Sequence, residues 1–377
     1  MSRARKFLVF LLIGGILAMQ LGFTIALMKG DGIRVHWPDS KLASARAFEV
    51  TGDAWMAPGR GSIAAIEVLA SPATAGLSPA EREAGSVRAR GALTWVEDRG
   101  KPLYPLQFWT APIELPSAGE WELVATARDA SGREIRSKVR RFSVDEVPPR
   151  AFVPWSGQHL AALAVSAALI AAFGFAAAKG GERFMRRAAP WYTLVLFAQE
   201  FAFQTYWFSR DAWSPSTALM LHMCGLAILL LPPVMMMGPS KTRDRLSELL
   251  YFWGTGGAVQ ALIFPDIMAF GFPTFRFFTF FASHALIIAG SLALATSGRA
   301  RITLAAVGRL FLRTTLLLVP IWAIDHAMAF LPPYAPANYF LMGYPPTMGS
   351  VIDVFADAFG PSPRYVLGIE LMGVVVF

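Results

Sequence analysis

Cysteine is almost absent: Cys224 alone stands among the 377 residues, so no internal disulfide can staple the chain. Histidine is scarce as well. The five residues include neither an HExxH motif nor a paired spacing, which leaves no recognisable zinc signature. Charge is also low. Asp, Glu, Lys and Arg make up 16% of the chain and hydrophobic residues 55%, too apolar a balance for a soluble protein of this length. What charge there is lies mostly between residues 29 and 150, with long apolar tracts elsewhere. The net charge of +8 does not point to nucleic acid. Lys179/Arg183/Arg186/Arg187, Lys241/Arg243/Arg245 and Arg299/Arg301/Arg309 flank apolar segments, the positions at which basic residues set membrane topology.

A basic N-terminus (Arg3, Arg5, Lys6) precedes an apolar run from Phe7 to Met28, long enough to cross a hydrocarbon core. No small-x-small cleavage site follows it, so residues 1–30 are expected to form an uncleaved anchor with its N-terminus inside. Residues 31–147 change character. Alternating stretches at Ala47–Val50, Ser62–Leu69, Leu93–Val96, Trp121–Arg128 and Ser137–Val144 read as strands, separated by turns such as Pro58–Gly61 and Asp129–Gly132. Several short strands with frequent turns predict an all-β sandwich, and Gly119–Asp129 followed by Ser131-Gly132 resembles bacterial immunoglobulin-like domains. Residues 148–157 form a linker. Seven further apolar spans follow, near 158–178, 190–208, 217–237, 248–264, 275–297, 308–330 and 364–377. The fold class is therefore an α-helical polytopic membrane protein of about eight transmembrane helices with an inserted immunoglobulin-like β domain. With the β domain outside, the three basic clusters fall inside and the base-poor loops 209–216, 265–274 and 331–363 fall outside.

Ionisable and strongly polar residues within spans are costly and mark candidate sites. They are Glu200, His222, Cys224, Glu248, Gln260, His284, Asp325, His326 and Glu370. On helices read as starting at Thr217 and Phe275, Cys224 lies roughly 10 Å and His284 roughly 13 Å below the outer surface. The two can share one level. His222, two residues from Cys224 on the same helix, is expected on another face. A thiol beside an imidazole suits covalent acyl transfer, with Gln260, Asn338 or Tyr339 as donors to a tetrahedral intermediate. The plainer alternative is that a lone cysteine in an apolar helix is an inert small hydrophobe. Another has His222, His284 and His326 ligating a metal or haem, without a motif to support it. Asp325-His326 reads as a proton relay or as a structural pair, and Phe275–Phe281 as lipid-facing or packing, with Arg276 at the interface.

Seven pieces in order over residues 152–377 resemble the YwaF-type integral membrane family. They are Phe152–Leu160; Leu221–Cys224; Glu248–Gly254 with Gly257, Gln260–Leu262 and Pro265-Asp266; Phe272-Pro273; Phe280–His284; Asn338-Tyr339; and Pro363–Tyr365. That family is similar to a eukaryotic transmembrane acyltransferase of ether phospholipids, and distantly to androgen-induced hydrolases of fatty esters. The resemblance implies Cys224 as nucleophile and His284 as base, supported by His222, Glu248, Gln260, Asp266, Asn338 and Tyr339.

The resulting expectation is an acyltransferase or lipid hydrolase of the bacterial inner membrane, acting on phospholipid at the outer leaflet, with no cofactor and no metal. The extracytoplasmic β domain would meet a periplasmic or cell-envelope partner. The rival expectation is a non-enzymatic transporter or sensor, although neither broken helices nor inverted repeats are evident.

Overall fold

The computed structural model describes residues 3–28, 30–38, 44–57, 62–93, 96–98, 101–104, 108–145, 151–265, 267, 270–332, 337–343, 351–360 and 363–368. The expected turn at 58–61, part of the 148–157 linker, Asp266, Glu370 and most of the span at 364–377 lie outside them.

Helix α1 (Arg3–Leu27) leads into the β domain. Its strands are β1 (Gly32–Trp37), β2 (Ala47–Trp55), β3 (Ile63–Pro72), β4 (Val87–Leu93), β5 (Val96–Asp98), β6 (Lys101–Tyr104), β7 (Phe108–Glu114), β8 (Gly119–Asp129), β9 (Glu134–Arg136) and β10 (Arg140–Val144), with a short helix α2 (Pro79–Ala84) before β4. All pairings between strands are antiparallel, in the order β1-β2-β7-β4-β3-β8-β10, with β9 on β8 and β5-β6 as a separate hairpin. Strand β4 pairs with β3 up to Gly91 and with β7 from Ala92, so it carries the sheet round a corner. Strand β1 comes back beside β8 and β9, and the sheet is nearly closed. Two separate sheets were expected; one curled sheet is found, because β4 bridges them. The pleat explains the core. On β8, Trp121, Leu123, Ala125 and Ala127 point inward, where they meet Trp109, Val50, Val68 and Phe142.

Among the described residues, one ion pair of this domain is buried on both sides. Arg34 on β1 binds Asp53 on β2 through Nε at 2.8 Å and through Nη2, while His36 Nε2 lies 3.4 Å from the same carboxylate. Burial raises the Asp53 pKa, but Arg34 and His36 together outweigh it and hold the carboxyl well below its ordinary value. A depressed carboxylate contributes stability that is full above the unfolded-state pKa and is lost as pH falls through the folded one. Asp53→Asn should therefore lower the melting temperature at neutral pH, and the difference from wild type should shrink as the medium is acidified below about pH 4. Melting curves across pH check this; a difference that grows on acidification would contradict it.

The helical part begins with α3 (Gly157–Ser209) and continues through α4 (Met223–Met236), α5 (Lys241–Ile263), α6 (Phe275–Thr296), α7 (Leu304–Ala327) and α8 (Val351–Phe359). The two spans expected at 158–178 and 190–208 are both in α3, which is broken at Gly181 (φ 49°, ψ −137°). Phe173 sits 5.3 Å from Phe184 and 5.7 Å from Tyr192, ring to ring. Nineteen residues of straight helix would put Phe173 and Tyr192 about 28 Å apart. Gly181 therefore turns the chain back on itself, in a left-handed conformation that L side chains resist.

Four helices among the described residues are long and apolar enough to cross a membrane: Phe7–Leu27, α3, α6 and Leu304–Phe330. Helix α6 is the central one: 67% of its apolar window is buried, against 22% for Leu304–Phe330. The span expected at 217–237 is shorter than expected, because residues 214–222 form turns and α4 has 14 residues. The loops sort by end. Arg243 and Arg299, from two of the basic clusters, both reach Glu182 beside the third. The β domain instead touches loops from the other ends of the helices, through Lys138–Asp211 and Trp37–Phe270.

Candidate functional site

A cavity of about 970 Å³ opens between the second arm of α3, the first turn of α4, and α5, α6 and α7. Its lining includes the polar side chains of Glu200, Gln204, Gln260 and Arg276. Most of the lining is apolar, with Trp253, Phe311 and Leu318 among the walls. Cys224, His222 and His284 line it too.

Cys224 is the second residue of α4, not the middle of a long helix. His222 stands at the N-cap and gives no side-chain cap. The first N–H groups of a helix lack intrahelical acceptors, so Cys224 and Gly225 present theirs at the positive end of the helix dipole. Gly225 is required there by close approach: a Cβ would meet the Met220 backbone at 2.8 Å. The turns before α4 are held by Tyr339, whose hydroxyl donates to Pro215 O (2.6 Å) and accepts from Leu219 N (2.9 Å).

His284 Nδ1 lies 2.8 Å from Phe280 O. A carbonyl oxygen can only accept, so Nδ1 carries the proton and Nε2 keeps its lone pair. The ring is tilted on Phe280 at 4.4 Å, which fixes its plane. Among the described residues no hydrogen bond joins Cys224 to His284; the cavity is what they share. Arg276, on the same helix two turns earlier, has its guanidinium over Phe203 (5.1 Å) and Phe280 (5.2 Å). Glu200, buried, accepts from Gln204 Nε2 at 2.7 Å.

The other expected residues divide. Gln260 lines the cavity, and so does His222, against the expectation that it faces elsewhere. The face argument assumed a helix running through 222, whereas His222 precedes the helix and packs edge-on to Tyr339 at 4.8 Å. Glu248 is directed away, paired with Arg309 at 2.9 Å. Asn338 accepts from Gly343 N (3.1 Å), and Tyr339 N donates to the buried Asp325 carboxyl (3.1 Å). Of the two, Tyr339 stands against His222. His326 Nδ1 donates to Trp322 O at 2.9 Å, so Asp325 and His326 serve different surroundings. Among the described residues no three His, Cys, Asp or Glu side chains gather to hold a metal. Arg276 and Gln204 were missed as cavity residues. The spacing Glu200-x-x-x-Gln204, two polar side chains one helical turn apart in an apolar span, was the available signal.

No curated protein matches the chain significantly. A family match does exist, and it covers residues 154–377, more than half of the chain, beginning within the 148–157 linker and including every cavity residue named above. It leaves out α1 and the β domain. The helical part carries the family's sequence, and the chain belongs to the TMEM164 family.

Proposed function

We propose that the protein is a membrane-embedded acyltransferase or lipid hydrolase that cleaves phospholipid esters through a Cys224 thioester. The observation that carries this reading is the joint placement, in one largely apolar cavity with a few polar side chains, of a thiol at a helix N-terminus and an imidazole whose Nε2 has no hydrogen-bond partner among the described residues. The resemblance to lipid acyltransferases supports it. His284 Nε2 takes the thiol proton and the sulfur attacks the ester carbonyl carbon. The oxyanion is met by the Cys224 and Gly225 N–H groups and the Gln260 amide. The carbon–oxygen bond to glycerol then breaks, and the leaving oxygen takes the proton from His284. A lysophospholipid departs, and the acyl group passes from sulfur to a lipid hydroxyl or to water. Arg276 lines the cavity and would meet the donor's phosphate, and the apolar lining that includes Trp253 and Phe311 would take acyl chain.

The same reading puts the protein in a bacterial inner membrane with the β domain extracytoplasmic, since the basic clusters gather at the helix ends away from it. That domain is read as immunoglobulin-like: β1-β2-β7 on one side and β3-β8-β10 on the other group as the two sheets of such folds do. Reconstitution with a phospholipid donor and a lysophospholipid acceptor tests the function. Wild type should yield new phospholipid species or free fatty acid, and Cys224→Ala neither. Equal turnover by Cys224→Ala would dismiss the reading in favour of a cavity that binds or conducts.

A further inference from the structure

The β domain is outside the family match, yet one of its side chains reaches the cavity wall through an unbroken buried chain. Asp53 grips Arg34 with both oxygens, which fixes the plane of the guanidinium. The remaining terminal nitrogen, Nη1, donates to Trp213 O at 2.5 Å. Trp213 in turn donates its indole N–H to Gln204 Oε1 at 2.6 Å. An indole N–H can only donate, so the Gln204 amide is oriented, and its Nε2 donates to Glu200 Oε1 (2.7 Å) and Ala218 O (2.9 Å). Asp53, Trp213 and Gln204 are each 1% exposed, so water does not compete for these bonds. Glu200 and Gln204 line the cavity, and Ala218 belongs to the turns that end at His222, just before Cys224 on α4.

We infer that Arg34 is a positioning residue of the cavity: from the β domain it sets, through Trp213 and Gln204, the polar wall and the turns that present Cys224. Seating of the domain does not rest on this chain alone. Arg140 Nη2 also spans the junction, to Val35 O (2.5 Å) and Arg210 O (2.6 Å), and Lys138 pairs with Asp211 at 2.6 Å. Removing one link therefore loosens the wall without releasing the domain.

Cys224 is the only thiol, so its alkylation rate reports the wall directly and needs no acyl transfer. The full chain in lipid nanodiscs is treated with N-ethylmaleimide. Arg34→Lys keeps the charge beside Asp53 but loses the fork to Trp213. Trp213→Phe keeps a ring against Phe23 but loses the N–H to Gln204. Each should raise the rate about tenfold, the worth of one well-placed buried hydrogen bond, and the double variant should do no more than either, because the links act in series. Lys138→Ala, at the same junction but off the chain, should leave the rate unchanged. Unchanged rates in both chain variants would overturn the inference. So would an equal rise in Lys138→Ala, or additive rises in the double variant, since either would mean general loosening.

Discussion

His284→Asn should slow acylation of Cys224 by about 10²- to 10⁴-fold, the usual span for loss of a general base, while Cys224→Ser should leave no hydroxylamine-sensitive label at all. The first effect follows from the tautomer. His284 is locked by Phe280 O with Nδ1 protonated, so Nε2 is the nitrogen left to accept a proton. An asparagine amide fills similar space but offers no basic nitrogen. The residual rate would come from the helix N-terminus and its free N–H groups, which His284→Asn does not touch. His222→Asn should cost far less, because His222 packs on Tyr339 and, among the described residues, offers α4 no side-chain cap. Stopped-flow or quench measurement of thioester formation separates the two. Equal losses at His222 and His284 would show that the wrong imidazole is assigned.

The second large effect is on stability. Arg299 is 2% exposed and binds both oxygens of Glu182, Nη2 to Oε1 at 2.7 Å and Nε to Oε2 at 2.9 Å. Its Nη1 donates to Met235 O at 2.7 Å, at the C-terminal end of α4, where a cation is favoured. One guanidinium thus ties the Gly181 reversal to the ends of α4 and α6. Glu182→Ala would strand a buried cation and should destabilise the protein by about 3–5 kcal/mol. Glu182→Ala/Arg299→Met should recover most of that loss, since no charge is then left unpaired. Unfolding in detergent reads both; a double variant no better than Glu182→Ala would show that the pair itself holds the fold.

Much of this architecture was legible in the sequence where its physics is periodic. Apolar length revealed α1, α3, α6 and α7, and alternation revealed β2, β3 and β8. The basic clusters sorted the loops by end. The start of α4 was not legible. Leu219–Leu221 is as apolar as the helix that follows, and no Ser, Thr, Asp or Asn marks the cap. The depth arithmetic for Cys224 therefore began too early, although Cys224 and His284 do line the same cavity. Hydropathy cannot show a single left-handed residue such as Gly181, and Glu182 reads as one more loop charge beside Arg183. Arg34 and Asp53 look like ordinary polar positions on alternating strands. Only the register of β1 on β2, which pairs them directly, and the docking of Trp213 give them a shared role.

The central claim is that an acyl group rests on Cys224 during turnover. Protein in phospholipid bilayers, quenched with acid, digested and mapped by mass spectrometry, tests it most directly. The predicted result is a single fatty-acyl adduct on the Cys224 peptide, removed by neutral hydroxylamine and absent from Cys224→Ser. An active protein with no adduct, or with the acyl group on another residue, would contradict it.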